Sequence, residues 1–345
     1  MRLDDAIGLV GRAGTDDELF GRVDPRRRYR QLAGLLHPDR TTGADAARRD
    51  AATAAFITLT DRWRSRGAGT VGGYALRVPA HVGDLADLYD VGADRLLKLP
   101  RDPANNDLMR RERDALRRIE RDGDPRYLPY LPRLVDSFRH RADGGADGPA
   151  AGGPVPGGPA AGGGDRAGAE RQVNVLATAP GLHSLAEVMR RHPDGLDPRD
   201  AAWMWRRLLV ALGLAHRAGV VHGAVLPDHV LIEPDDHGLV LVDWCYAAVH
   251  PDGTVPALVP AYAHWYPPEV PQRRPVGPGT DLAMAARCMT ALMADRAPRA
   301  LWAFATGCSA ARLAARPDDA WRLLGELDDL LERLYGPRTF RPFHL

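Results

Sequence analysis

The N-terminal part of the chain places its apolar residues at the three- and four-residue spacing of amphipathic helices. One helix is predicted to begin at Asp24-Pro25, because Asp is a favoured N-cap and Pro fits the first turn. A second helix is predicted from Asp45 to Trp63. The positions predicted to be buried are Tyr29, Leu32 and Leu36 in the first helix, and Ala52, Ala55, Phe56 and Leu59 in the second.

From about Tyr74 onwards, short strand patterns alternate with helical ones. The run from Leu96 to Pro100 has the apolar character of a buried strand, and the run from Asn106 to Leu116 reads as a helix with one charged face. A further helix is predicted to begin at Asp197-Pro198 and to end at Ala218-Gly219. The predicted fold class is therefore α+β, with an all-helical N-terminal unit followed by a mixed body.

A stretch of low complexity separates two strand-like runs, 133–140 and 172–177. Residues 143–169 are almost wholly Gly, Ala and Pro, and they offer too few apolar side chains to offset the entropy of ordering the chain. A long insertion in a hairpin adds little closure entropy. The segment is predicted to be a disordered hairpin tip inside one domain, with an interdomain linker as the alternative.

Composition limits the kind of protein further. The chain has 345 residues, 45% of them hydrophobic, which is enough for two or three domains with buried cores. A net charge of +1, with arginine and acid interleaved, argues against a nucleic-acid or membrane surface. The N-terminus carries no hydrophobic signal core, so a cytoplasmic location is expected. The three cysteines lack metal-ligand spacing and are expected to be reduced.

Lys98 is the only lysine of the chain, although Lys and Arg together number 46. An ammonium meets phosphate oxygens as a compact point charge, whereas the planar guanidinium of arginine docks two acceptors at once. A chain that otherwise uses arginine is therefore expected to keep this lysine for phosphate binding. The alternative is that a GC-rich genome favours arginine and that Lys98 is a remaining solvated lysine.

A series of motifs surrounds and follows this lysine. It comprises Lys98 with Glu112, the run Val220-Val-His222-Gly-Ala224-Val-Leu226-Pro-Asp228-His229, Asp243-Trp-Cys, Tyr266-Pro-Pro-Glu269, Gly279-Thr-Asp281 and Arg316-Pro317. In this order, the motifs resemble those of the protein kinase family, over roughly residues 74–334. The resemblance implies a bilobal domain at 74–336, with a small lobe to about 180, a large lobe from about 181, and a tail at 337–345.

The resemblance also implies roles for individual residues. Kinases bind ATP through a strand lysine, a helical glutamate and a glycine loop, and they hold metal ions through an aspartate and an asparagine. The expected ATP-binding residues are Lys98, Glu112 and Gly83. The expected ligands of Mg or Mn are Asp243 and His229, which stands at the asparagine position. The residues expected to hold the large lobe together are His222, Glu269, Asp281 and Arg316.

Several departures from the family pattern affect catalysis. Ala224 occupies the position of the catalytic aspartate, and Leu226 occupies that of a lysine that steadies the transferred phosphoryl group. The glycine loop retains only Gly83. These departures predict a pseudokinase that binds nucleotide. The alternatives are an active atypical serine/threonine kinase that uses Asp228 as a displaced base, and a scaffold that binds no nucleotide.

The tripeptide His37-Pro38-Asp39 lies between the two N-terminal helices. The same tripeptide recurs at 192–194 and 250–252, without two flanking amphipathic helices of the same length. Helix, tripeptide and returning helix resemble a J domain over residues 1–68, which implies that His37, Pro38 and Asp39 contact a DnaK-type chaperone. The expected function is that of a J-domain co-chaperone whose pseudokinase domain serves as a sensor or platform for an unknown client protein.

Overall fold

The computed structural model describes residues 3–21, 25–37, 41, 45–65, 70–76, 79–141 and 169–345. These residues belong to two compact units. The first unit comprises Met1–His81, Tyr89–Val91 and Arg141–Ala169, and the second comprises Val82–Leu88, Gly92–His140 and Glu170–Leu345.

Helices and strands are numbered here in chain order. The helices are α1 Leu3–Arg12, α2 Asp16–Phe20, α3 Pro25–Leu36, α4 Ala46–Ser65, α5 Asn106–Asp122, α6 Leu185–Arg191, α7 Pro198–Arg217, α8 Pro278–Met293, α9 Arg299–Cys308 and α10 Ala320–Tyr335. The strands are β1 Thr70–Val71, β2 Tyr74–Ala75, β3 Pro79–Val82, β4 Ala86–Asp90, β5 Arg95–Pro100, β6 Leu134–Arg141, β7 Glu170–Ala177, β8 His183–Ser184, β9 Val220–Val221, β10 Val230–Glu233, β11 Gly238–Leu241 and β12 Ala248–Val249. Within the part of the chain described, no helix combines the length and apolar character needed to span a bilayer.

The first unit is built around helices α1 to α4. Both predicted helices are present as α3 and α4, and their predicted apolar faces line a shared core in which Leu32, Leu36 and Leu59 are fully buried. The ring of Tyr29 stacks on that of Trp63 at 4.6 Å between centroids. These contacts bury the apolar positions of α3 and α4, although both helices are rich in charge.

The tripeptide that follows α3 is described in part. His37 is exposed directly after the end of the helix, and its ring meets that of Phe56 edge to face at 5.2 Å. Pro38 and Asp39, which are expected to complete the chaperone contact, lie outside the described residues.

The sheet of the second unit carries β4, β5, β7 and β6 side by side in that order. Strands β5 and β7 run antiparallel, and Lys98 on β5 lies opposite Asn174 on β7. The predicted strands on either side of the Gly/Ala/Pro segment are confirmed as neighbours, β6 and β7. Residues 142–168, which include nearly all of the predicted hairpin tip, lie outside the described residues.

The helical part of the second unit has α7 at its centre. As predicted, Asp197 caps α7 by accepting a hydrogen bond from the backbone N–H of Arg199, and the apolar stripe of the helix is buried. Helices α8 and α10 pack against α7 and enclose the main core. Strands β10 and β11 form an antiparallel pair in which Val230 lies opposite Leu241, and this pair brings the predicted loop residues to one edge of the core.

Candidate functional site

Three side chains from two segments meet at Lys98. Its Nζ lies 3.0 Å from Oε1 of Glu112 on α5, 2.7 Å from Oδ1 of Asp243 and 3.3 Å from Sγ of Cys245. The amphipathic pattern of α5 places Glu112 on its buried face beside Met109. The structure therefore brings Lys98, Glu112 and Asp243 together, as the sequence predicts, and adds Cys245.

The charges in this cluster stabilise one another. Burial alone would lower the pKa of Lys98, but Asp243 and the other acidic groups around it raise this pKa well above its usual value. Burial alone would raise the pKa of Asp243, yet the ammonium of Lys98 lowers it well below its usual range. Burial raises the pKa of the Cys245 thiol, which is therefore neutral. An ammonium and a carboxylate thus face each other in a site from which water is largely excluded.

A polar network on the sheet orients Glu112. The amide of Asn174 donates to Oε2 of Glu112 at 3.0 Å and to the backbone carbonyl of Met109 at 2.9 Å. The hydroxyl of Ser137 donates to the amide oxygen of Asn174 at 2.8 Å. Because Asn174 uses both amide hydrogens in this way, it fixes the carboxylate of Glu112 toward Lys98.

The cluster also has donors suited to a metal ion. Glu112, Asp243 and Cys245 offer ligand atoms that all lie within 4.8 Å of one another. The ammonium of Lys98 lies at hydrogen-bonding distance from each of the three and supplies the positive charge there. Since Mg²⁺ prefers oxygen ligands, the carboxylate of Asp243 fits it and the buried thiol does not.

The carboxylate of Asp243 has a second neighbour, His229. The Nε2 atom of His229 lies 3.4 Å from Oδ2 of Asp243, and its Nδ1 lies 2.8 Å from the carbonyl oxygen of Ala224. That carbonyl can only accept, so Nδ1 carries a proton and donates it. Nε2 thus faces Oδ2 of Asp243, whereas Lys98 contacts Oδ1.

The backbone at Asp243 is unusual. Asp243 adopts left-handed dihedral angles, with φ of 65° and ψ of 62°, and one turn of 3-10 helix follows at Trp244–Tyr246. The indole N–H of Trp244 donates to the carbonyl of Leu241 at 2.8 Å, and the Trp244 side chain is fully buried. These contacts hold the turn without the glycine that would adopt positive φ most easily.

The loop between β9 and β10 forms a compact buried turn. The backbone N–H groups of His222 and Gly223 donate to the carboxylate of Asp281, each at 2.8 Å. The Nδ1 atom of His222 accepts from the N–H of Ala224, and its Nε2 donates to the carbonyl of Val242 at 2.9 Å. Burial lowers the pKa of His222 to about 4, so its ring is neutral.

A buried ion pair lies next to the start of α8, the helix whose Asp281 binds this loop. The guanidinium of Arg316 contacts both carboxylate oxygens of Glu269, at 2.6 and 3.1 Å, and the hydroxyl of Thr280 donates to Glu269 at 2.9 Å. Arg316 is buried, and a bidentate pair with a further hydrogen bond is the geometry in which a buried ion pair is tolerated.

Comparison with known proteins bears on the fold alone. No protein-family model and no curated protein matches the sequence. The kinase domain of PknI from Mycobacterium tuberculosis superposes with a TM-score of 0.50 at 17% identity, over 76% of this chain and 98% of that chain. A single-site mutant of that domain gives 0.53 at 15% identity, over 76% of this chain and 97% of the other. This chain contains a protein-kinase-like fold. These low identities establish no function.

Two loop residues that differ from the kinase pattern, Gly223 and Ala224, are tightly packed. Ala224, which the sequence motifs place at the position of the catalytic base, is fully buried, and its side chain offers no proton acceptor. Gly223 has φ of +75°, and a Cβ there would lie 2.7 Å from the carbonyl oxygen of Tyr246. A larger residue at position 223 would need this turn to move.

Asp228, the displaced base of the alternative reading, lies on the surface. Its carboxylate accepts a hydrogen bond from the hydroxyl of Tyr262 at 2.7 Å. The contacts found for Lys98 and Asp243 within the described residues do not include Asp228. Asp228 is therefore engaged elsewhere in this conformation.

The loop that carries Gly83 is closed by a side chain from the Asp243 segment. The N–H of Gly83 donates to the carbonyl of Ala86 at 3.0 Å, and a Cβ on Gly83 would lie 2.9 Å from that oxygen, so the turn itself favours glycine. The hydroxyl of Tyr246 donates to the carboxylate of Asp84. The ring of Tyr246 stacks on that of His229 at 5.9 Å.

Four contributors to the site were not predicted: Cys245, Asn174, Tyr246 and Asp84. For Asn174 the sequence held a usable signal, since a lone amide between Val173 and Val175 in a buried strand requires a hydrogen-bonding partner. The other three are recognised only once the folded chain places the Asp243 segment against β5 and the Gly83 loop.

Proposed function

We propose that the second unit is a catalytically impaired kinase-like domain that binds a nucleotide through Lys98. The observation that carries the proposal is the buried set of Lys98, Glu112 and Asp243, assembled beside a loop in which Ala224 replaces the base. The ammonium of Lys98 is the group suited to the nucleotide's phosphates. A buried methyl group at position 224 can neither accept a proton nor orient a hydroxyl.

The proposal includes a divalent metal with the nucleotide. Mg²⁺ or Mn²⁺, when bound, supplies positive charge that offsets the phosphate oxygens. Asp243 would hold it, and Nε2 of His229 is the next donor available. An imidazole donor suits Mn²⁺ better than Mg²⁺, so we infer a preference for manganese.

We propose that the first unit acts as a J-domain-like module that engages a DnaK-type chaperone, for an unknown client, in the cytoplasm. Support comes from the two amphipathic helices packed on a common core and from His37, exposed where α3 ends. In this proposal the kinase-like unit supplies nucleotide sensing or partner binding, while the helical unit supplies chaperone recruitment.

Thermal unfolding with and without ATP tests nucleotide binding. The titration is run with Mg²⁺ and separately with Mn²⁺, on the native chain and on Lys98→Met and Asp243→Asn. A ligand that binds only the folded state raises the melting temperature, and the rise grows with the logarithm of the ligand concentration relative to its Kd. We expect a metal-dependent rise in melting temperature that is lost in both variants. The rise is taken as the difference with and without ATP for each protein, because the substitutions themselves change the melting temperature.

One control variant and two contrary outcomes complete the test. Asp122→Asn removes an exposed carboxylate of the second unit and should leave the ATP-dependent rise unchanged. No rise in any condition, from a chain that unfolds cooperatively, would refute nucleotide binding and leave a scaffold. Transfer of labelled phosphate to any protein, lost on Asp228→Ala with ATP affinity intact, would refute the impaired-enzyme proposal in favour of an active kinase.

A further inference from the structure

A groove runs along α5 on the second unit, outside the Lys98 cluster. Its volume is about 560 Å³, and α5 contributes Arg111, Arg117, Arg118 and Arg121 to its wall. The paired strands β9 and β12 contribute apolar residues that include Val249. The groove therefore combines a basic wall with an apolar floor.

Most of the positive charge in this groove is not neutralised by the protein. Arg111 donates to the carbonyl of Ala247 at 3.4 Å, and Arg118 donates to that of Ala218 at 2.6 Å, contacts that leave each guanidinium with its full charge. Across the described residues, neither of these arginines nor Arg117 has a carboxylate within ion-pair distance. They are thus available to an acidic ligand.

The remaining charges of the wall are already paired. Arg121 contacts both carboxylate oxygens of Asp122 at 2.7 Å. Asp114 also lines the groove, and its carboxylate accepts from Arg113 at 2.7 Å. A single paired carboxylate among four arginines leaves the groove with an excess of positive charge.

The apolar floor of the groove adds a second requirement for its ligand. Val249 is 53% exposed, one of the few large apolar side chains among the described residues that are so open to solvent. An exposed apolar side chain inside a charged groove favours a ligand that brings its own apolar group. A free inorganic anion would leave this surface uncovered.

We propose that the groove binds an acidic peptide segment of a partner protein, in which carboxylates flank an apolar side chain. The arginine fork matches carboxylate geometry and docks it through two parallel hydrogen bonds. Arg111 and Arg118 take the carboxylates, Arg117 adds attraction at the rim, and Val249 packs on the apolar side chain. The groove has no aromatic side chain in its lining for base stacking, and Asp114 opposes a continuous phosphate backbone.

Fluorescence anisotropy tests this proposal with a labelled six-residue peptide, Glu-Leu-Glu-Glu-Leu-Glu, titrated with the full chain in the absence of nucleotide. Because no nucleotide is present, failure here is distinguishable from failure of the Lys98 site. We expect saturable binding, weakened at least about tenfold in Arg111→Gln/Arg117→Gln, since the charge-assisted hydrogen bond of Arg111 is worth that much or more and the attraction of Arg117 is lost with it. Both arginines are exposed, so the variant should retain its melting temperature.

Matched controls define the site. Arg110→Gln removes an arginine of the same helix that pairs with Asp107 outside the groove, and it should leave affinity within about twofold. Val249→Glu, which alters the floor without touching any arginine, should also weaken binding about tenfold. The peptide with Gln in place of every Glu should not bind.

Three results would overturn the proposal. The first is the absence of saturable binding, and the second is equal affinity for the native chain and the double variant. The third is tighter binding of a labelled single-stranded oligonucleotide or a phosphoserine peptide with the same dependence on Arg111 and Arg117, which would make the groove a phosphate site.

Discussion

The hydroxyl of Tyr246 donates a hydrogen bond to the carboxylate of Asp84, and this bond joins the turn after Asp243 to the loop that carries Gly83. Burial, together with the nearby charge of Asp243, raises the pKa of Tyr246, so the phenol keeps its proton and remains a donor. The ring of Tyr246 is held against His229. A nucleotide whose phosphates reach Lys98 would have to pass this contact, because the two loops it joins are those proposed to border the phosphates.

Tyr246→Phe is therefore expected to raise ATP affinity. The substitution keeps the ring and removes only the bond to Asp84, whose net worth as a bond to a charged group is about 1.5–3 kcal/mol. If nucleotide binding must spend part of that free energy to weaken the bond, the dissociation constant for ATP should fall by roughly tenfold in the variant. Calorimetry with Mn²⁺ measures this change.

Tyr262→Phe is the matched control for that experiment. It also removes a hydrogen bond from a tyrosine to an aspartate, Asp228, on the surface of the large lobe. ATP affinity should not change in this variant. Unchanged or weaker ATP binding by Tyr246→Phe would show that the Asp84 contact does not close the site.

Ala224→Asp should not restore phosphate transfer and should destabilise the chain. The side chain at 224 is fully buried, so a carboxylate there loses its hydration, at a cost on the order of 3 kcal/mol. Urea denaturation measures the loss, and Ala263→Asp, at an exposed position of the same lobe, should change stability by less than about 0.5 kcal/mol. A stable Ala224→Asp variant that transfers labelled phosphate would contradict this expectation.

Glu112→Gln tests the mutual stabilisation of the buried charges. Removing one carboxylate weakens the pairing of the buried Lys98, and breaking a buried pair costs roughly 3–5 kcal/mol. Glu120→Gln, exposed on the same helix, should be close to neutral. Combining Glu112→Gln with Lys98→Met should recover part of the loss in a double-mutant cycle, and strictly additive effects would show that the two charges act independently.

The sequence predicted those parts of the site that depend on order along the chain. The resemblance to kinases, carried by the order of the motifs, implied that Lys98 and Glu112 act together at the nucleotide site. The same holds for Glu269 with Arg316, where the motifs name both members of the ion pair. The structure brings each pair within 3.1 Å.

Other parts could not be predicted, because they depend on side chains that meet only in the folded chain. Cys245 reads as an isolated thiol in the sequence, and its place against Lys98 follows from the left-handed turn at Asp243. The bond between Tyr246 and Asp84 joins residues 162 positions apart. No local pattern of hydrophobic and polar residues carries such information.

His222 should make the chain less stable in mild acid. Burial lowers its pKa from 6.5 to about 4, so between these pH values the unfolded chain binds a proton there that the folded chain does not. The free energy of unfolding should therefore fall as pH drops from 6.5 toward 4, by up to about 1.4 kcal/mol per pH unit for this proton. Above pH 6.5 the contribution is constant.

Urea denaturation at several pH values checks this expectation. His222→Gln has no titrating ring, so its stability should fall less steeply over the same interval, whatever its absolute value. His264→Gln, exposed in the same lobe, should keep the native slope. Identical slopes for the native chain and His222→Gln would assign the acid sensitivity to other groups.

The proposed chaperone contact predicts a specific effect of His37→Gln. His37 is exposed at the end of α3, so the substitution should leave the melting temperature nearly unchanged while removing stimulation of a DnaK-type ATPase. His192→Gln is the matched control, because His192 heads the same tripeptide sequence but lies against Phe343 in the large lobe. Steady-state ATP hydrolysis by the chaperone measures both variants. Equal stimulation by the native chain and His37→Gln would remove the tripeptide from the contact, and equal loss in both variants would point to a general effect of the substitution.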